Sequence, residues 1–173
     1  MNLRAMPVLL SLIFTLVLLF GGWFTYQQFY VQKPIEAFIK EKSQVTMHDM
    51  QINKNQVNLY LDFTNPDTFV NDYKEIREFV ATTVPGKSVS IQLSKHGEDM
   101  LNLWEEEYFG LAEAIRKQEY SRIPEIIEEM GKKRQLEKTV ARMDEQNVYV
   151  FLQSGAQHLY AVLPLKEEVK THE

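Results

Sequence analysis

The chain has 173 residues, no cysteine, and 24 Asp and Glu against 19 Lys and Arg, for a formal net charge of −5. Without cysteine it has no disulfide, thiolate metal site or cysteine nucleophile of its own, and the acidic balance argues against a nucleic-acid partner, because phosphate binding needs clustered positive charge. The length suits one membrane element plus one domain able to bury a core.

Residues 8–24 (VLLSLIFTLVLLFGGWF) form an uncharged run whose only small or polar positions are Ser11, Thr15, Gly21 and Gly22. At about 1.5 Å per residue the run covers about 25 Å, and Thr25 and Tyr26 bring it close to the roughly 30 Å of a bilayer's hydrocarbon core. Trp23 and Tyr26 stand where interfacial aromatics belong. The pattern predicts a transmembrane anchor over residues 8–26, preceded by a short cytoplasmic tail at 1–7. A cleaved signal peptide needs a small-residue site, and the following TYQQFYVQ has no A-x-A triplet. A buried helix of a soluble domain would not be apolar on every side. Arg4 against Lys33, Lys40 and Lys42 leaves the positive-inside count nearly even, so the common arrangement of a short tail before one span sets the expected orientation. The protein is expected in the cell membrane as a single-pass signal-anchor chain, its C-terminal domain extracytoplasmic. Within the span, Ser11, Thr15 and Gly22 fall on one side and mark a contact face for a second copy or another helix. The alternative is that Ser11 and Thr15 bond their own backbone and Gly22 is incidental.

Residues 27–43 read as a juxtamembrane helix or a linker, with Pro34 at a first helical position and Ile35, Phe38 and Ile39 on one side. From residue 44 the period becomes two. Val45, Met47 and Ile52 outline one strand and Val57, Leu59, Leu61 and Phe63 a second, joined by Asn53-Lys54-Asn55. Asn65-Pro66-Asp67 supplies an N-cap, a helix-opening proline and a first-turn acid, and Phe69, Tyr73, Ile76, Val80 and Val84 follow at helical spacing up to Pro85-Gly86. Val89, Ile91 and Leu93 alternate as a strand. A long helix is predicted over 98–120, with Met100, Leu101, Trp104, Tyr108, Leu111, Ala112 and Ile115 as its buried arc. Ser121 is the expected cap of a third helix, and Gly131 its left-handed end. Residues 138–143, 148–153 and 158–165 then read as a three-stranded meander.

The order β-β-α-β-α-α-β-β-β predicts an α+β domain over residues 44–165, a mixed or antiparallel sheet covered on one face by helices, with 166–173 a charged, frayed tail.

Chemistry is harder to find. His48, His96, His158 and His172 make no H-E-x-x-H or H-x-H arrangement, although His158 with Tyr160 and His48 with Asp49 can be posed as acid/base partners. No glycine cluster forms a phosphate loop, and no serine sits in a nucleophile elbow. No catalytic residue, metal ligand or cofactor is expected, and the chain is not expected to be an enzyme. Interaction remains. Phe109 departs from the buried arc of the long helix and has Glu105 and Glu106 one turn before it and Glu113 one turn after, a composition suited to a docking hot spot. The alternative is that a neighbouring helix covers Phe109 together with Leu103. The expected function is docking of the outer domain onto another membrane or cell-wall protein, in an accessory or assembly role. The runner-up is a tethered sensor or carrier that holds a small ligand between sheet and helices.

Overall fold

The structure, a computed structural model, describes residues 5–165; Arg4, His172 and the charged tail at 166–173 lie outside the described residues. It is a mixed α+β molecule with an apolar N-terminal helix. That helix, α1 (Ala5–Tyr26), has 22 residues and no acidic or basic residue in its first or last turn. Its segment Met6–Trp23 is long and apolar enough to cross a membrane, and none of it is buried in the structure. The helical path continues as a π-helical segment (Gln27–Gln32) and then as α2 (Lys33–Glu41). Pro34, near the start of α2, has no N–H to give the carbonyl four residues earlier and its ring crowds that carbonyl; wider π turns ahead of it relieve both problems.

β1 (Val45–Ile52) and β2 (Gln56–Phe63) form an antiparallel hairpin with a register shift between Met47 and Asp49, and after α3 (Phe69–Thr83) the strand β3 (Ser88–Leu93) joins β2 in parallel. Val57, Leu59, Leu61 and Phe63 of β2 alternate inward, as period two requires, and meet Ile35 and Ile39 of α2 and Phe69, Tyr73, Ile76 and Val80 of α3 in one core. α2 is therefore part of the domain. Ile35 and Ile39 are fully buried, Phe38 stacks on Phe79 with ring centroids 4.1 Å apart, and Lys42 pairs with Asp72 and Glu75 of α3.

Ser94 alone separates β3 from the two-residue β4 (Lys95–His96), which opens a second, antiparallel sheet. The strand order there is β4-β7-β6-β5, with β5 (Lys138–Met143), β6 (Asn147–Ser154) and β7 (Gln157–Pro164) forming the expected meander. β6 is buried on both faces. Val148, Val150 and Leu152 pack under α4 (Glu98–Arg116) and α5 (Ile123–Arg134), whereas Tyr149 and Phe151 enter the first core. There Phe63, Phe69, Tyr73, Tyr149, Phe151 and Tyr160 meet with centroids 4.6–6.1 Å apart. The one-sided sheet expected from element order is thus two sheets. The meander is apolar on both faces and needs two covers: the α4–α5 pair on one side and the core of the first sheet on the other.

Several local expectations shift. Asn65 does not cap α3: its Oδ1 accepts the N–H of Asp67 (2.9 Å) and its carbonyl that of Phe69 (3.1 Å), closing a turn from which the helix starts at Phe69. The long helix stops at Arg116, not Tyr120, because Gln118 turns left-handed (φ 58°) and the Glu119 N–H returns to the Ala114 carbonyl at 2.9 Å. Ser121 lies in a 3-10 turn, Tyr120–Arg122, rather than capping α5. Gly131 is not the left-handed cap of α5, a role taken by Gln135; it is buried inside the helix, where a Cβ would meet Thr139 Cγ2 at 2.8 Å.

Candidate functional site

α4 begins after Gly97, whose φ of 99° turns the chain out of β4, and carries Glu98 and Asp99 at its positive dipole end. It buries Met100, Leu103, Leu111 and Ala114 and half-buries Leu101, Trp104 and Ile115. The buried stripe is thus rotated from the predicted arc toward Leu103, because α4 contacts α5 as well as the sheet. Tyr108, expected inside, is 37% exposed and lies 5.6 Å from the Trp104 ring. Phe109 is 77% exposed, so the covering of Phe109 and Leu103 by one neighbour does not occur: Leu103 is in the core and Phe109 is outside.

The acids beside Phe109 are exposed too. Glu106 pairs with Arg134 at the end of α5, and Glu113 pairs with Lys117 one turn on. Glu105 is exposed on the same flank. Glu107 points the other way, half-buried, and its bond to Lys133 holds its carboxyl below the usual glutamate value against the opposing effect of burial. The Glu106–Arg134 and Glu107–Lys133 pairs join α4 to α5, and the phenyl ring stands beside a belt of charge. Gly110, next to it, has open space where a side chain would be, so the helix flank beside Phe109 is bare backbone.

Ser11, Thr15 and Gly22 of α1 are exposed. Thr15 Oγ1 donates to the Ser11 carbonyl at 2.9 Å, and nothing lies within 4 Å of a Cβ built on Gly22.

Elsewhere, titratable groups meet in two places: one joins the pair His158 and Tyr160 posed from the sequence to Asp62, which the sequence did not suggest, and the other, around Asp144, has no sequence signal. His158 Nε2 lies 3.6 Å from Asp62 Oδ1, with the Tyr160 ring 5.6 Å from the imidazole. Burial and the negative charge of Asp62 raise the Tyr160 hydroxyl well above its ordinary value. Asp144 Oδ1 accepts the N–H groups of Gln146 and Asn147 (both 2.8 Å), while its Oδ2 accepts the Tyr149 hydroxyl (2.9 Å) and faces Lys74 at 3.2 Å. Neither group lines the two cavities described below. His48 is exposed, and Asp49 is occupied by the Met50 N–H and the Gln51 side chain. Among the described residues no three His, Asp or Glu gather as a metal site.

One cavity, about 630 Å³, is an open cleft beside the α4–α5 seam, lined in part by Asp99, Asn102, Glu106, Arg134 and Gln157. The other, about 410 Å³, adjoins the end of α1. The chain matches no family model, no curated protein and no solved structure.

Proposed function

We propose that this chain is a single-pass membrane-anchored envelope protein whose domain, outside the cytoplasm, docks onto another membrane or cell-wall protein through the outer face of α4. Its role is that of an accessory or assembly factor, without catalysis. One observation carries the reading. Among the described residues, and Met143 apart, the large hydrophobic side chains left exposed gather in two places: α1 with the adjoining Phe29 and Tyr30, and the pair Tyr108–Phe109. The first calls for lipid, the second for a protein surface. An exposed ring rimmed by Glu105, Glu106 and Glu113, on a helix sealed behind, resembles the anchor of a small interface. Ser11, Thr15 and Gly22 offer the same partner, or a second copy, a helix to pack against.

Photo-crosslinking in native membranes tests this. A benzophenone side chain at position 109 should give one adduct with a membrane or envelope protein, and the same group at exposed Glu128 should not. No adduct from position 109, or the same adducts from both, would overturn the docking role. A small molecule that co-purifies with the protein and is lost on Arg134→Ala would favour the sensor reading, with the open cleft as its site.

A further inference from the structure

Two turns lie beside the helical stalk at Trp23 and Val31: the β1–β2 turn at Asn53-Lys54-Asn55 and the α3–β3 turn at Pro85-Gly86-Lys87. They are fastened together. Lys87 Nζ donates to the carbonyls of Asn53 (2.6 Å) and Lys54 (2.8 Å), and the Ser88 N–H donates to the Asn55 carbonyl at 2.9 Å. With Trp23 and Val31 of the helical stalk these loops bound the groove of about 410 Å³, whose apolar walls are Trp23, Val31, Ile52 and Val84 and whose rim carries Lys54 and Lys87.

Depth and charge say what fills it. Trp23 and Val31 are separated by about 12 Å along a helix, and the polar layer on each side of a bilayer's hydrocarbon is roughly 5–8 Å thick. With Trp23 at the hydrocarbon boundary, a groove that runs from Trp23 to Val31 falls in the headgroup layer, and Lys54 and Lys87 line that same groove. Neither loop contains an acid, although the chain as a whole has a net charge of −5. Lys87 is committed to the loop carbonyls, so the exposed Lys54 is the charge turned outward.

We infer that this groove binds an anionic phospholipid of the leaflet facing the domain, with the glycerol and upper acyl chain against Trp23, Val31, Ile52 and Val84 and the phosphate at Lys54. The inference rests on α1 being a membrane span. A zwitterionic lipid would fill the apolar walls but bring no net charge for the lysines.

The test uses the full chain in nanodiscs of phosphatidylcholine alone or with phosphatidylglycerol added, read by backbone hydrogen exchange in the two loops and by native mass spectrometry of retained lipid. The expected result is several-fold slower exchange at residues 52–55 and 84–87 and retained phosphatidylglycerol in the mixed discs only. Lys54→Glu should abolish both effects and Lys54→Arg should preserve them. Equal exchange and equal retention in the two kinds of disc, or no response to Lys54→Glu, would overturn the inference while leaving the span intact. A chain that fails to enter nanodiscs at all would instead overturn the span.

Discussion

Phe109 and Asp144 show how differently single residues are committed in this domain. Because most of the Phe109 ring is already in water, Phe109→Ala should lower the unfolding free energy by well under about 1 kcal/mol, against about 3–5 kcal/mol for a buried phenylalanine. Thermal unfolding of the full chain in detergent checks this, and a large loss would place the ring in the core. Asp144 is the opposite case. Burial pushes its carboxyl up, but the N–H groups of Gln146 and Asn147, the Tyr149 hydroxyl and Lys74 outweigh that and hold it at about 2, against 3.8 ordinarily. A depressed folded value means the stabilisation is present above about pH 4 and is lost as pH falls toward 2; it is on the order of 2 kcal/mol. Tyr149, pushed up to about 12 by burial and by its bond to Asp144, contributes fully below pH 10 and loses that contribution as pH rises through 12. Asp144→Asn should therefore cost about 2 kcal/mol at pH 7 and flatten the fall in stability between pH 4 and pH 2, as measured by urea unfolding.

At the scale of elements, α2 is where the apolar N-terminal helix and the domain meet. Ile39, fully buried between sheet and α3, should cost about 2–5 kcal/mol when cut to alanine; a change under about 0.5 kcal/mol in denaturant unfolding of the full chain would mean that α2 is only a tether. The sequence left that segment between helix and linker because Ile35, Phe38 and Ile39 show an apolar side without showing what covers it. Strand β2 was legible from alternation and the meander from its β-prone runs, and β5 has the predicted limits. Period two says which face is buried but not which strand lies alongside, so the parallel partner of β2 and the division into two sheets could not be read. Acids at helical spacing on the same flank offered exposure of Phe109 as one of two readings, and local spacing alone did not decide against cover by a neighbouring helix. The bases that engage Glu106 and Glu107 lie 28 and 26 residues away on α5, beyond any local pattern. The same holds for Asp62 and His158, which sit on strands of different sheets.

For the molecule as a whole, α1, the π segment and α2 make one helical path from an exposed apolar rod into a fully packed core. A flexible tether would let the domain roam; on the proposed reading of α1 as a membrane span, this continuous path would set the height and facing of the domain and the direction of Phe109. That role requires α1 to stay attached and in lipid. Alkaline carbonate extraction of membranes from cells expressing the full chain, followed by intact mass measurement, tests this most directly. The expected result is the uncleaved chain in the membrane pellet after carbonate treatment. A carbonate-soluble product with a mass lacking α1 would contradict it.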